Sequence, residues 1–332
     1  MEGMEMKKEF WKDKRVFITG ATGIVGSWLT KALVERGVYV VTLVRDWDPQ
    51  SDLIRTSIIN RVHVVNGALE DYAILERAIN EQEVDTVFHL GAQAIVTIAN
   101  RSPLPTFEAN IRGSYNLLEA CRVHKDMVKR VVVASSDKAY GDSDVLPYTE
   151  DMPPLGRYPY DVSKSCMDLL AQAYWHTYKL PVGVARCGNT YGGGDLNWSR
   201  IAPGTIRSII ENQAPIIRSD GTFVRDYVYV EDVVEAYIDL AEALDQSEIK
   251  GGTFNFSSES PMSVIKIVNV ICHMMGREDL KPIILNEARA EIKNQYLSSA
   301  KARKLLGWKP RYTLEEGLRK TIAWYQEFLS RD

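Results

Sequence analysis

Between a short apolar run, Arg15-Val-Phe-Ile-Thr19, and a segment with apolar residues at helical spacing, the chain sets three glycines three apart: Gly20, Gly23 and Gly26. No other feature restricts the fold as strongly. The run is β-branched and ends in glycine, as a buried strand does, and the segment 27–36 carries Trp28, Leu29, Ala32 and Leu33 on one helical stripe before Gly37 stops it. A second strand follows over 38–44. Together these make one strand–helix–strand unit of about 30 residues. In that setting Gly20 allows the tight turn, Gly23 lets the backbone approach a diphosphate, and Gly26 lets helix and strand pack closely. Thr22, Ile24 and Val25 complete the loop, which opens onto a helix N-terminus suited to an anion.

The alternation continues with strands over 62–67, 86–91, 128–136 and 180–186 and helices over 71–82, 105–123 and 159–178. This predicts an α/β fold with a doubly wound, parallel Rossmann sheet spanning 1–186. From 187 the pattern loosens into GNTYGGGDLNW and short helices over 203–212, 232–243 and 262–275, so 187–332 is expected to form a smaller substrate-binding lobe. Some of its segments would return to the Rossmann sheet, and a ligand pocket is expected between the two parts. Forty Lys and Arg against 44 Asp and Glu give a net charge of −4, without the basic excess that nucleic-acid binding needs. The four cysteines are scattered with no CxxC pair, which predicts neither a metal site nor a disulfide framework. The opening MEGMEMKKEFWKDK is charged where a signal peptide is apolar, and no stretch reaches the roughly 18 apolar residues of a membrane span, so a cytoplasmic protein is expected.

At the end of the second strand stand Arg45 and Asp46. An acid there holds the adenosine ribose of NAD, and a base admits the 2′-phosphate of NADP; Arg45 tilts the expectation toward NADP while Asp46 leaves NAD open. Tyr160 and Lys164 are four residues apart on one face of the helix over 159–178. A lysine ammonium near a phenol stabilises the phenolate and lowers its pKa from about 10 toward the range of a general base. Ser136 ends the strand over 128–136, where its hydroxyl could reach the same centre, and Asp137 and Lys138 follow as an adjacent acid and base.

Several ordered segments, GATGIVG (20–26), HLGAQ (89–93), NIRGSYNLLEA (110–120), SSDKAYGD (135–142), YDVSK (160–164), RDYVYVEDVVEAY (225–237) and LLGWKPRYTLEEGL (305–318), resemble the extended short-chain dehydrogenase/reductases that act on nucleotide sugars. The resemblance spans about 15–310. It implies a tightly held NAD(P) bordered also by Ala68, Leu69, Leu90, Ala92 and Gln93. Gly67-Ala68-Leu69 lacks the Asp that many relatives direct at the adenine amine, so that contact would be absent or made by backbone. It further implies that Ser136, Tyr160 and Lys164 are catalytic, with Tyr160 taking the proton of the sugar 4-hydroxyl as hydride leaves C4. In 4,6-dehydratases of this family an acid and a base follow the serine, as Asp137 and Lys138 do here; in 4-epimerases small residues stand there. The implied product is a nucleotide-linked 4-keto-6-deoxyhexose, formed by transient C4 oxidation, loss of water across C5–C6 and hydride return to C6. Asn189 and Arg225 match positions that hold the pyrophosphate, and Arg200 and Glu291 are candidates near the ribose or base. The alternatives are a nucleotide-sugar 4-epimerase and a dinucleotide-binding protein without turnover. A homodimer is also implied, through the helices over 105–123 and 159–178, whose Leu117, Leu118, Met167, Leu169, Leu170 and Ala173 exceed a single stripe.

Overall fold

Seven short strands, most of them rich in valine, isoleucine and phenylalanine, pair side by side in the computed structural model, which describes residues 9–330. The first eight residues of the charged opening segment lie outside the described residues. The strands are β1 (Arg15–Thr19), β2 (Tyr39–Val44), β3 (His63–Asn66), β4 (Thr86–His89), β5 (Arg130–Ala134), β6 (Val182–Cys187) and β7 (Thr253–Phe256). Every pairing is parallel, in the order β7-β6-β5-β4-β1-β2-β3. Strands β4, β5 and β6 are buried throughout, as parallel strands covered on both faces must be. The expected doubly wound Rossmann sheet is therefore present. Its order reverses beside β1, so the carboxyl ends of β1 and β4 open the crevice where α/β sheets bind ligands.

Helix α1 (Ile24–Glu35) packs on one face of the sheet, and α2 (Tyr72–Glu81), α3 (Gly113–Val123) and α4 (Pro159–Tyr178) cover the other. The lobe contributes α5 (Ile201–Ile210), α6 (Val230–Ala243), α7 (Val264–Met274), α8 (Ala300–Leu306) and α9 (Leu314–Leu329). Of these, α6 lies beside α1 on the sheet, and β7 closes the sheet edge against β6, so the chain crosses from lobe to sheet and back. A separate core of Ile206, Ile209, Ile271, Leu318 and Tyr325 holds the lobe together. No helix among the described residues is long and apolar enough to cross a membrane.

The segment expected as one helix over 105–123 is instead built in pieces: helical turns to Phe107, a π turn over Glu108–Arg112, then α3. Asn110 explains the widening. Its side chain accepts from Gln93 N (2.7 Å) and donates to Gln93 O (3.1 Å) and Ser163 Oγ (2.9 Å), pulling the turn toward the end of β4. The helix expected over 262–275 begins only at Val264, because Met262 and Ser263 pair antiparallel with Val224–Arg225. The apolar surplus offered for a dimer also shrinks. Leu117, Leu118 and Met167 are buried against the chain's own sheet and Leu170 packs beside them, leaving Leu169 (51% exposed) and Ala173 on the surface.

Candidate active site

The glycine turn is fixed by sterics at two of its three glycines. Gly20 follows β1 at φ +75°, and a Cβ there would sit 2.7 Å from Gly91 N, because β1 and β4 nearly touch at the crevice. A Cβ at Gly26 would overlap the Gly20 carbonyl. Gly23 is different: it is exposed, and its Cβ would meet only one atom, at 3.5 Å. Gly23 also forms the N-cap of α1 without a side-chain cap, so the first-turn N–H groups face outward, as a bound diphosphate requires. Around this turn, Thr22 O accepts from Ser51 Oγ (2.9 Å), and Ile24 and Val25 pack toward the lobe. Leu90 follows β4, Ala92 and Gln93 continue it, and the Gln93 side chain is held by Ile95 N (2.7 Å). Ala68 is partly exposed, whereas Leu69 is buried and its carbonyl accepts from Asn116 Nδ2 (3.2 Å). At the end of β2, Arg45 and Asp46 form an exposed ion pair (2.7 Å) that the fold does not otherwise engage.

Asp137 and Lys138 stand on a turn that the sequence pattern did not reveal. After β5, Ser136 caps a 3₁₀ turn, Asp137–Tyr140: its Oγ accepts from Lys138 N (3.2 Å) and donates to Asp137 Oδ1 (2.9 Å). Three anchors fix this turn. Ser165 of α4 donates to Ala139 O (2.8 Å), Tyr140 OH donates to Asn255 Oδ1 (2.7 Å), and the Arg186 guanidinium lies 4.4 Å over the Tyr140 ring. Arg186 is itself held by two bonds to Asp168 of α4 (2.7 and 2.9 Å), a fully buried pair.

Burial then pushes the two neighbours in opposite senses. The Asp137 carboxyl is raised by desolvation, against the opposing pull of Lys138 and the Ser136 hydrogen bond, and its Oδ2 is buried without a partner. The Lys138 amine is lowered by desolvation and by the Arg225 charge, with Asp137, Glu291 and Asp161 opposing. An acid that keeps its proton and a base that sheds one are what elimination of water needs.

Tyr160 and Lys164 share one buried face of α4 as expected, but the expected lowering of the phenol is not seen. Burial pushes Tyr160 up to about 12, opposed by the Arg200 charge and by hydrogen bonding with Ser136. The Lys164 amine, lowered to about 8 by burial, donates instead to Ala134 O (2.8 Å) at the end of β5, so desolvation prevails over its charge.

A cavity of about 400 Å³ gathers these groups between sheet and lobe. Ser136, Asp137, Lys138 and Tyr160 line it from the Rossmann side, and Asn189, Arg200, Arg225 and Glu291 from the lobe. Lys164 sits behind the wall. Arg200 pairs with Asp195 (3.0 Å). All four terminal N–H groups of Arg225 are engaged within the protein: Nη1 by Val224 O (2.8 Å) and Lys293 O (2.9 Å), Nη2 by Glu291 Oε1 (2.8 Å) and Ile292 O (2.6 Å). The fork that the resemblance directs at pyrophosphate thus clasps residues 291–293. Arg218 and Arg289, both exposed, line the same cavity but lie in irregular segments that offered no periodic signal. Thr97, Asn100 and Gln295 went equally unsignalled.

Comparison with known proteins agrees with this geometry. The family model described as GDP-mannose 4,6 dehydratase matches residues 17–321. A CDP-glucose 4,6-dehydratase of Salmonella typhimurium is 32% identical, the match covering 97% of this chain and 93% of that protein. Among solved structures, the UDP-glucose 4-epimerase of Thermotoga maritima with UDP-glucose superposes with a TM-score of 0.85 at 27% identity, over 95% of this chain and 99% of that one. MoeE5 in complex with UDP-glucose and NAD superposes with a TM-score of 0.82 at 28% identity, over 95% of this chain and 99% of that one. The glycine turn, with its uncapped helix start, fits a nicotinamide dinucleotide such as the NAD of the MoeE5 complex. A parallel sheet with its switch point at β1, an acid–base turn beside a tyrosine–lysine helix and a match over nearly its whole length together place the chain in the GDP-mannose 4,6 dehydratase family.

Proposed function

We propose that the protein removes water from a nucleotide-diphosphate hexose to give a 4-keto-6-deoxyhexose. The observation that carries this is the pairing of Asp137 and Lys138 on one cavity wall, a carboxyl raised and an amine lowered by the same burial. A bound nicotinamide would supply hydride acceptance at C4 and return at C6, leaving no net redox change. Gly20, Gly23 and Gly26 would hold its diphosphate, with Arg45 at the end of β2 favouring NADP. Tyr160, assisted by Ser136 and Lys164, takes the proton of the 4-hydroxyl. The resulting 4-ketone acidifies the C5 hydrogen. Lys138 removes that proton, the C–H electron pair forms the C5–C6 double bond, the 6-oxygen leaves as water on the proton given by Asp137, and as C6 is reduced Lys138 gives a proton, exchangeable with solvent, back to C5. Asn189, Arg200, Arg218 and Arg289 surround the nucleotide end, and Arg225 with Glu291 shapes the loop beside it. Two copies would pair through the exposed Leu169 side of α4, and a monomeric mass in light scattering at micromolar protein would exclude this.

The test is mass spectrometry on a panel of nucleotide hexoses in deuterated water. Loss of one water with deuterium at C5 is expected. Asp137→Asn and Lys138→Met should still oxidise C4 and then stall, accumulating the absorbance of reduced nicotinamide. Products of unchanged mass, no C5 deuterium and fully active variants at both positions would overturn the dehydratase and install a 4-epimerase, the activity named for the Thermotoga neighbour.

A further inference from the structure

We propose that Gln295 is the positioning residue for Lys138: its side-chain carbonyl aims the amine into the cavity through a neutral acceptor. The inference rests on the dehydratase reading for its purpose and on geometry for its content. Lys138 Nζ donates to Gln295 Oε1 at 3.2 Å, a contact between residues 157 apart in sequence. Gln295 is fully buried. It sits in a short strand, Asn294–Gln295, in parallel register with Val224–Arg225, and two residues on Leu297 bridges to Tyr148, so the backbone on both sides is held. The Gln295 Nε2 amide, by contrast, is buried with no partner among the described residues. A buried amide left half satisfied is costly, and its retention beside a reacting group calls for a reason.

The reason follows from what else faces Lys138. Asp137 comes from its own turn, Asp161 from α4, Glu291 from the loop and Arg225 from the neighbouring strand. Arg225 is next to Gln295 in register, but its guanidinium terminus is already occupied by residues 291–293 and Val224, so the Gln295 carbonyl is left to the lysine. An amide oxygen accepts an N–H from ammonium and neutral amine alike. Lys138 can therefore keep one orientation before and after taking the C5 proton, with its lone pair directed at substrate. A carboxylate at 295 would hold the lysine equally well but as a permanent cation, unable to act as a base.

The test uses the full-length enzyme and two variants, Gln295→Glu and Gln295→Met. The first readout is the pH midpoint of Lys138 acylation by acetic anhydride, followed by mass spectrometry, which needs no substrate. The second is the pH profile of water loss, with kcat and KM separated. Gln295→Glu should raise the Lys138 midpoint by about one to three pH units, as an opposite charge at this range does, and move the acid limb of the turnover profile upward by the same amount. Gln295→Met should leave KM near wild type and lower kcat by about ten- to a hundredfold through lost aim, without raising the midpoint. If Gln295→Glu does not fold, the kcat-against-KM split in Gln295→Met decides alone. A midpoint unchanged in folded Gln295→Glu, or wild-type turnover in Gln295→Met, would overturn the positioning role. Absence of water loss in the wild type with a midpoint that still moves in Gln295→Glu would remove the dehydratase reading and leave the positioning standing.

Discussion

The glycine turn and the arginine clasp border the same crevice by opposite means. At the turn, Gly20 and Gly26 are required because backbone meets backbone, Gly26 against Gly20 and Ala21 and Gly20 against Leu90 and Gly91 just after β4. At the clasp, Arg225 reaches across 66 to 68 residues of chain to Glu291, Ile292 and Lys293, and the wall of the cavity exists only once that reach is made. The cofactor side is thus set by local sterics and the substrate side by remote side-chain bonds. The two should respond to mutation differently.

The largest effect is expected where the two sides meet. Tyr160→Phe should lower turnover by about 10²- to 10⁴-fold while the cofactor still binds, since on the proposed mechanism the hydroxyl carries the proton and the ring that lines the cavity is kept. Turnover close to wild type would remove Tyr160 from the chemistry. Next, Arg225→Met should cost about 3 kcal/mol in denaturant unfolding, because it takes the guanidinium from Glu291, Val224 O and Ile292 O, while Lys293 O keeps only Val224 N. Cofactor affinity measured on the folded fraction should hold; a parallel loss there would break the distinction between local and remote construction. On the cofactor side, Arg45→Ala should weaken NADP by about 1.5–3 kcal/mol, the range for a charged hydrogen bond, and spare NAD. Equal losses for both in calorimetry would assign the choice to another residue.

The smallest effect concerns a histidine that both sides enclose. His89 ends β4, hydrogen-bonded to Thr19 Oγ1 (2.8 Å) and Ser114 Oγ (2.9 Å), and burial, with the Lys164 charge, pushes it down to about 3. The unfolded chain therefore takes up a proton first as pH falls. Its contribution to stability is complete above about 6.5 and is lost toward pH 3 at about 1.4 kcal/mol per pH unit. Asp161 and Asp226, both raised by burial to about 6, work in the other direction as they protonate. The comparison to make is hence between wild type and His89→Asn: the change of unfolding free energy per unit rise in pH, between pH 4 and pH 6, should be less positive in the variant by about 1.4 kcal/mol. Identical slopes would mean that His89 titrates normally.

The same division explains what the sequence made legible. Strand runs such as Val131-Val-Val133, the glycine spacing and the Tyr160/Lys164 interval are statements about neighbours, and each maps onto the structure at its own position. The Asp137–Lys138 pair was visible as chemistry, but its mounting on a 3₁₀ turn was not, because Arg186, Asn255 and Ser165 supply the anchors from three other elements. The π turn at 108–112 was hidden for the same reason: only the approach of Gln93 and Ser163 to Asn110 distinguishes it from ordinary helix. Helix α9 was readable in principle, since Thr313 and Glu316 form a capping box ahead of it. Gln295 left no trace in the sequence at all. Its significance is one contact with a residue 157 positions away.

The turn that carries Asp137 and Lys138 is fastened through Ser136, Ala139 and Tyr140, and the tyrosine–lysine helix is tied to the same frame by Asp168 and Arg186. Exchanging positions 137 and 138 would remove the Ser136–Asp137 and Lys138–Gln295 bonds but leave these fastenings of the turn and helix in place. On the proposed mechanism, in evolutionary terms, the oxidising half of the site would be a chassis and the eliminating half a two-residue fitting, so that a lineage could gain or lose dehydration while its sheet and its glycine turn descend unchanged.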